Sequence, residues 1–316
     1  MHSPTSDTAT RTTRETVSFD GDAVSIAGHL YIPNGEHERS LPALVVAHPA
    51  SAVKEQTSGE YAGRMAQDGY VSLAYDAAFQ GESTGLPRGL EDPARRVEDI
   101  KAAVSYLTTR PEVDPERIGV LGICASGGYS IAAAVGDHRI KAIATVSGVN
   151  VADQFRFGAD GTQEPAVFQQ MLDAAAAARN AEARGEGVQT FRLFPATVED
   201  AERAGGRHGV EGFEYYCTPR GEHRRSTKEM PWKSVDLMAN FDAFRFVRML
   251  APRPLLQIVG REAITAWMAI RTHQQAAEPK RLHWIEGATH VDLYDKDEFI
   301  TPAVAELTSF FATSLP

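Results

Sequence analysis

The stretch from Gly119 to Gly128, with the sequence GVLGICASGG, constrains the fold of this chain more than any other. An apolar run typical of a β-strand ends at Gly122, and a helix-compatible run from Tyr129 to Val135 begins just after Gly128. Between these runs, Cys124 stands among small residues. This is the layout of a nucleophile elbow, a tight strand-to-helix turn that exposes one side chain above a sheet. The sequence therefore predicts Cys124 as a nucleophile, and the N-terminus of the new helix is expected to favour its thiolate.

Two alternatives to this reading of Cys124 stay open. Ser126 is a rival nucleophile, because a turn centred on it would also be flanked by small residues. The strand ends at Gly122, however, and this register favours Cys124. A buried cysteine can also be an inert core residue. The glycines on both sides of Cys124 argue against that alternative, because a tight turn needs them.

Apolar runs typical of buried strands alternate with amphipathic runs typical of helices through most of the chain. The predicted strands are Thr16–Phe19, Val24–Pro33, Leu44–Ala47, Val71–Tyr75, Ile118–Leu121, Ile140–Val146, Pro254–Val259 and Leu282–Ile285. The predicted helices are Glu55–Asp68, Pro93–Arg110, the run after the elbow, Ala266–Ala277 and Pro302–Phe311. This alternation predicts an α/β fold with a mostly parallel central sheet and helices on both faces, and with catalytic groups at the carboxyl ends of the strands.

The alternation stops over residues 149–250, where the sequence indicates an Ala-rich helix (Ala174–Ala183) and a Gly-rich loop (Gly205–Gly212). We interpret this segment as a helical lid inserted over the strand ends, and the alternative is a decoration that packs elsewhere. The predicted organisation is a disordered tail over residues 1–14, a first core part over 15–148, the lid over 149–250 and a second core part over 251–316.

Composition limits the environment and the partners of the chain. The 316 residues carry a net charge of −10 without a basic patch, which disfavours nucleic acid as a partner. No apolar run approaches the roughly 20 residues that a membrane helix needs, and residues 1–14 lack the apolar region of a signal peptide. With only two cysteines, Cys124 and Cys217, a cytoplasmic location is the simplest expectation. A homodimer is left open.

His290 is the histidine best placed to serve Cys124. It lies after a glycine in the loop that follows the last predicted strand, and the chain order is nucleophile, acid, histidine. The acid is expected after the strand Pro254–Val259, where Glu262 is the only carboxylate in the loop. Glu262 would then orient His290 and stabilise its imidazolium. The alternatives are a surface Glu262 paired with Arg261, or Asp292, Asp295 or Asp76 as the acid.

Two backbone amides are predicted to bind the oxyanion. One belongs to Ala125, the residue after the nucleophile, and the other to Ala50, or else Ser51, after the strand that ends at Ala47. Three residues of the insertion, Tyr215, Tyr216 and Arg220, are weaker candidates for substrate binding, and packing within the lid is the alternative for them.

Several stretches together carry a resemblance to a known family. They are His48-Pro49 with Lys54-Glu55-Gln56, Asp76–Ser83, Gly122–Gly128, Tyr215–Gly221 and Gly287–Asp295. With these stretches the chain resembles the dienelactone hydrolase-like branch of the α/β-hydrolase superfamily, which uses cysteine at the elbow. Within that branch it is similar to a group of bacterial hydrolases that also contains fungal polyketide acyltransferases of the fumagillin polyketide transferase type. The group tends to have Gly-Ser-Glu-Ala-Asp after the strand that precedes the acid, and Ile264 stands where that Asp is expected.

These observations lead to one main hypothesis on function and two alternatives. The main hypothesis is a hydrolase that cleaves a small-molecule ester, lactone or thioester through an acyl-cysteine intermediate. An acyltransferase that moves a polyketide-like acyl group to an alcohol or amine would share that intermediate. The substitution at Ile264 also leaves open a catalytically silent binding protein. The sequence has no metal-ligand cluster and no Gly-rich phosphate loop, so no cofactor is predicted.

Overall fold

A computed structural model describes residues 12–35 and 39–316 of the chain. The predicted tail over residues 1–14 lies largely outside the described residues, but Thr12–Arg14 belong to the first strand, so the core begins earlier than predicted. In chain order, the strands are β1 (Thr12–Asp20), β2 (Ser25–Pro33), β3 (Leu41–Ala47), β4 (Val71–Tyr75), β5 (Val113–Ile123), β6 (Ile140–Val146), β7 (Thr190–Arg192), β8 (Glu229–Pro231), β9 (Leu255–Gly260) and β10 (Lys280–Ile285).

The helices alternate with these strands, as the sequence predicts. They are α1 (Thr57–Gln67), α2 (Pro93–Thr108), α3 (Ala125–Gly136), α4 (Val151–Phe157), α5 (Pro165–Ala183), α6 (Val198–Cys217), α7 (Lys233–Ala239), α8 (Ala266–Gln275), α9 (Asp292–Asp295) and α10 (Asp297–Ser314), with a short 3-10 helix at Val247–Leu250. Pro93 opens α2 after an Asp92 side chain that accepts hydrogen bonds from the first turn, which is why this helix begins sharply.

Eight strands form one central sheet in the order β1-β2-β4-β3-β5-β6-β9-β10. In this order, the neighbouring strands from β4 through β3, β5, β6 and β9 to β10 are parallel. Strand β2 is antiparallel to both of its neighbours, β1 and β4. The central strands are buried on both faces, since Val45 packs with α2 and α3 while Leu44 and Val46 pack with α1 and α10. Such a sheet requires continuous apolar strands, and this requirement explains the sequence pattern. The predicted mostly parallel sheet with helices on both faces is therefore confirmed.

Residues 149–250 contribute α4 to α7, the 3-10 helix and a separate two-stranded sheet of β7 and β8. The predicted loop over Gly205–Gly212 is wrong, because these residues lie inside α6. The helix kinks at Gly206, which has φ of 53°, a left-handed conformation that glycine adopts without steric cost. A β-carbon on Gly209 would lie 2.2 Å from the Ala201 carbonyl oxygen, so close backbone approach explains that glycine within a helix.

Candidate active site

Cys124 lies in the strained turn between β5 and α3, with φ of 54° and ψ of −120°. For a residue other than glycine this conformation costs on the order of 1–3 kcal/mol, so the surrounding structure must hold it. Backbone hydrogen bonds from three segments do so: the Cys124 amide donates to Val146 on β6 at 3.1 Å, and the Cys124 carbonyl accepts from Gly127 on α3 at 2.8 Å and from Val149 after β6 at 3.0 Å. The turn predicted from the sequence is therefore present, with Cys124 at its apex.

The small residues around Cys124 are required by close packing. A β-carbon on Gly122 would lie 2.2 Å from the Ser126 carbonyl oxygen, and one on Gly127 would lie 2.5 Å from the Gly148 α-carbon. Real β-carbons do not approach other atoms so closely. The strand and the helix can meet at this angle only because these positions carry no side chain.

Ser126 has a structural environment that argues against its role as the nucleophile. Its hydroxyl donates to the His48 carbonyl at 2.6 Å and accepts from the Arg96 guanidinium at 2.8 Å, and the residue is buried. The candidate oxyanion loop, which begins after His48, is thereby tied to α3. Between the two predicted nucleophiles, Cys124 alone lines the cavity described below.

His290 lies in the loop between β10 and α9, and both of its ring nitrogens have partners. The Nδ1 atom lies 2.7 Å from the Thr265 hydroxyl, and the Nε2 atom lies 3.0 Å from the Tyr294 hydroxyl. The Ser147 hydroxyl, at the end of β6, donates to the His290 carbonyl at 2.9 Å and fixes the backbone of this loop. The Tyr294 hydroxyl also contacts the Cys124 thiol, so it lies between the two predicted catalytic groups.

The structure does not bring Glu262 to His290. Its side chain is 50% exposed and pairs with Arg207 on α6 at 3.0 Å. The loop turns Glu262 outward because its amide is bound to the Ala288 carbonyl at 2.9 Å, and Ile264 also points to solvent, 43% exposed.

The other predicted acids are bound elsewhere. Asp76 accepts from buried Lys54, Asp295 from Arg220, and Asp292 from Lys296 and the Thr289 amide. Within the described residues, the partner of the His290 Nδ1 atom is the hydroxyl of Thr265, which the sequence reasoning missed. Its position next to Ile264, in the loop expected to supply the acid, was the only signal for it.

Electrostatics at the site favour uncharged groups. Burial raises the pKa of the Cys124 thiol above its ordinary value, and contacts from the Tyr294 hydroxyl and the Ala125 amide offset this only in part. Burial also holds the pKa of His290 well below its ordinary value, and nearby His208 lowers it further. The expected thiolate at the helix N-terminus is therefore not favoured in the resting site, because desolvation outweighs the helix dipole.

The two residues predicted to supply the oxyanion amides are both brought to the cavity that Cys124 lines. Ala50 and Ala125 both line the cavity, and the Ala125 amide contacts the Cys124 sulfur. Among residues 12–35 and 39–316, no acceptor binds the Ala50 amide. The Ala50 amide is thus free to donate to a bound ligand, whereas the Ala125 amide already contacts the sulfur. Ser51, the alternative to Ala50, has φ of 61°, and its hydroxyl accepts from the Lys228 amide at 3.2 Å.

A cavity of about 420 Å³ lies over Cys124 and His290. Its walls come mainly from residues 149–250 and are mostly apolar or small, including Val151, Phe155, Met171, Leu193, Phe194, Met230, Ala201, Ala204, Gly205, Gly209 and Gly212. His208 also lines it, with its ring edge-on to His290 at a centroid distance of 5.1 Å. The His208 Nδ1 atom is buried and has no hydrogen-bond partner within the described residues.

The three weaker candidates from the insertion have different positions. Tyr216 lines the cavity, and its ring stacks on Phe194 at 4.3 Å. Tyr215 and Arg220 do not line it: the Tyr215 hydroxyl accepts from the Thr57 amide at 3.0 Å, and Arg220 donates to both carboxylate oxygens of Asp295. Their contacts instead attach the insertion to α1 and α9. Cys217 is a free, partly buried cysteine.

Across residues 12–35 and 39–316, His, Cys, Asp and Glu side chains do not gather in groups of three or more that could hold a metal ion. Within those same residues, none of the helices combines the length and the apolar character that a bilayer crossing demands.

The parallel sheet, the elbow after β5 and the histidine after β10 define an α/β hydrolase. A solved structure with this fold, the α/β hydrolase GrgF from Penicillium sp. sh18, superposes with a TM-score of 0.82 at 19% identity, covering 96% of this chain and 99% of that one. The X-Pro dipeptidyl-peptidase (S15) family matches residues 20–292, and the chain belongs to this family. Family and fold together identify it as a hydrolase.

Individual relatives extend over nearly the full chain. The uncharacterized protein YcjY of Escherichia coli K12 is 37% identical, covering 95% of this chain and 98% of its own length. The crystal structure of the hypothetical protein PA2218 from Pseudomonas aeruginosa has a TM-score of 0.90 at 31% identity, with 97% and 95% covered. The thiohydrolase aneE of Aspergillus aculeatus is 28% identical, with 90% and 89% covered. Fungal proteins named as an acyltransferase and a polyketide transferase are also similar to the chain.

Proposed function

We propose that the protein hydrolyses a small-molecule carboxylic ester, lactone or thioester through an acyl-cysteine intermediate on Cys124. The observation that carries this proposal is the position of the Cys124 thiol, at the apex of a strained elbow and in the wall of a cavity that Ala50, Ala125 and His290 also line. A side chain held at the cost of backbone strain is typical of functional sites. The relative from Aspergillus aculeatus is named a thiohydrolase, and this favours a thioester among the three substrate types.

In the proposed first step, the Cys124 sulfur attacks the carbonyl carbon while its proton passes to His290. A sulfur–carbon bond forms, and the carbonyl π electrons move to the oxygen, where the amides of Ala125 and Ala50 stabilise the negative charge. His290 then gives its proton to the departing alkoxide or thiolate as the bond to the leaving group breaks. The acyl group remains on Cys124.

In the second step, water attacks the acyl-cysteine and restores the enzyme. His290 takes a proton from the water and returns a proton to the Cys124 sulfur as the carbon–sulfur bond breaks. The product is the free acid. An acceptor alcohol or amine in place of water would give acyl transfer, so the names of the fungal relatives make acyl transfer the second candidate function.

Burst kinetics with p-nitrophenyl acetate, and peptide mass spectrometry after reaction with it or with an acetyl thioester of N-acetylcysteamine, test the acyl-cysteine. We expect an initial burst and an acetyl group on the peptide that contains Cys124, and we expect the C124A variant to lose both. The C217A variant, which removes the other cysteine, is the matched control and should react like the native protein. Full turnover by C124A would overturn the proposal. Absence of any burst and of any adduct would instead favour a silent binding protein.

Product analysis with added alcohols and amines separates the two candidate functions. Hydrolysis predicts that the free acid remains the main product when the acceptor is present at millimolar concentration. A dominant acylated acceptor under those conditions would assign acyl transfer, because water is present at a far higher concentration.

A further inference from the structure

Tyr294 occupies a position that the proposed mechanism has not yet used. It lies four residues after His290, on the short helix α9, and only 2% of its surface is exposed. Its hydroxyl lies 3.0 Å from the His290 Nε2 atom and contacts the Cys124 thiol. The ring is fixed by edge contacts with Tyr215 at 5.2 Å and with His290 at 5.6 Å. The hydroxyl is therefore a defined part of the site.

The Tyr294 hydroxyl contacts both the Cys124 thiol and the His290 imidazole, and so it connects the two groups. Within the part of the chain that the structure describes, no hydrogen bond joins the Cys124 sulfur directly to the His290 imidazole. The His290 Nδ1 atom is bound to the Thr265 hydroxyl, so Nε2 is the ring atom on the side of Cys124. The Tyr294 oxygen therefore contacts both groups, and it can carry a proton from the thiol to His290 without any movement of the imidazole.

We propose that Tyr294 is a catalytic residue whose hydroxyl relays the proton from the Cys124 thiol to the His290 Nε2 atom; this inference rests on the function proposed above. As the sulfur–carbon bond forms, the S–H bond breaks and its proton binds the Tyr294 oxygen. The original hydroxyl proton moves from that oxygen to Nε2. The hydroxyl is thus restored, no net charge remains on Tyr294, and the positive charge lies on His290.

The surroundings of Tyr294 fit a relay better than a base. A relay needs a neutral hydroxyl that accepts and donates at once, and burial holds the pKa of Tyr294 well above its ordinary value, which keeps the hydroxyl protonated. A relay also needs an unprotonated Nε2 atom. Nε2 is unprotonated when Nδ1 carries the ring proton and donates a hydrogen bond to the Thr265 oxygen 2.7 Å away.

Alkylation of Cys124 by iodoacetamide tests the relay without any acyl substrate, with the site of reaction assigned by peptide mass spectrometry in a C217A background. In the protein with Tyr294, the rate should follow the ionisation of His290, with a midpoint below pH 6.5 and a plateau above it. In Y294F, the rate at pH 7 should fall about 10²-fold, the lower range for general-base assistance. The remaining rate should rise only as the thiol itself ionises, above pH 9.0.

Y61F is the matched control, because it removes the hydroxyl of another fully buried tyrosine, which donates to the Leu293 carbonyl at 2.8 Å and does not line the cavity. It should keep the pH profile of the parent protein, with a change in rate of less than about threefold, since both relay contacts remain. An unchanged or faster rate in Y294F would overturn the relay and show that Tyr294 only separates the thiol from His290.

The relay and the acyl-cysteine chemistry can fail separately. If Y294F forms the acyl-enzyme at the parental rate, the relay is wrong and the proposed function stands. If alkylation shows the expected dependence on Tyr294 but no acyl donor gives an adduct, the relay stands as a property of the thiol and the acyl chemistry fails.

Discussion

At the scale of single residues, the partner of His290 distinguishes this site from one with an acid. A hydroxyl can orient the imidazole, but it cannot neutralise the imidazolium as a carboxylate does. The low pKa of His290 agrees with this, since burial and His208 both oppose its positive charge. Orientation without charge stabilisation is therefore the role that the geometry gives to Thr265.

The T265A variant should lower kcat/KM for an activated ester by roughly 10- to 100-fold, by analogy with the loss when a metal-ligating histidine loses the group that orients it. The reason is that Nδ1 would lose its hydrogen bond and the ring would no longer be held in one tautomer. E262Q is the control and should leave kcat/KM unchanged, because Glu262 pairs with Arg207 at the surface. A strong loss in E262Q with none in T265A would return the orienting role to Glu262.

The T265D variant should move the acidic limb of the kcat/KM profile to higher pH. His290 must be neutral to accept a proton, so its low pKa keeps the native protein active below pH 6.5. A carboxylate beside Nδ1 would favour the imidazolium and raise the pKa of His290, so protonation would inactivate the variant at a higher pH. I264D should leave the limb in place, since Ile264 points to solvent. An upward shift in I264D and none in T265D would contradict this assignment.

At the scale of elements, the elbow depends on contacts between backbones. The G122A variant should lower the free energy of unfolding by about 1–3 kcal/mol, the typical cost of overpacking, because the new methyl group would meet the Ser126 carbonyl oxygen at 2.2 Å. Urea denaturation measures this loss. G136A at the end of α3 is the matched control, since no atom lies within 4 Å of its added β-carbon, and it should be neutral or slightly stabilising.

The sequence predicts best the elements that are buried on both faces. The predicted bounds of β4 (Val71–Tyr75) and β6 (Ile140–Val146) agree with the structure, because central parallel strands need unbroken apolar runs. Helix α6 was missed because its glycines have low intrinsic helix propensity. Close contacts require these glycines nonetheless, since Gly209 lies against the Ala201 backbone across the kink of the same helix and Gly212 lies against the Phe194 ring.

The sequence also predicted part of the candidate active site. Cys124, Ala125, Ala50 and His290 follow from their positions at strand ends, and the structure brings them to one cavity. The hydroxyls of Thr265 and Tyr294 could not be predicted, because an uncharged hydroxyl has no distinctive pattern and its role depends on how a loop turns. Glu262 was chosen on residue type, and the turn of its loop directs it outward.

At the scale of the whole molecule, a buried cluster of charges joins the first core part to the insertion. The Lys54 ammonium is fully buried and contacts Asp76 at 2.8 Å, Glu82 at 2.6 Å and Glu55 at 3.0 Å. Arg225, from the insertion, pairs with the same Glu55 and Glu82. Burial lowers the pKa of Lys54, but the hydrogen bonds to the carboxylates more than offset this and keep it charged.

The K54M variant should lower the free energy of unfolding by about 3–5 kcal/mol, because it removes the positive partner of the fully buried Asp76 carboxylate and leaves that charge uncompensated. Lys141 is the control: it pairs with Glu116 at 2.9 Å but is 34% exposed, so K141M should cost at most about 1 kcal/mol. Urea denaturation of both variants gives the comparison.

Because Arg225 shares two of the carboxylates, we also expect K54M to expose the peptide bonds near Arg225 to limited proteolysis before the core unfolds. Equal losses in the two variants would show that the buried cluster adds no more than a surface ion pair, and the attachment of the insertion would then rest on its hydrogen bonds to residues 51–57, such as the one from the Thr57 amide to Tyr215.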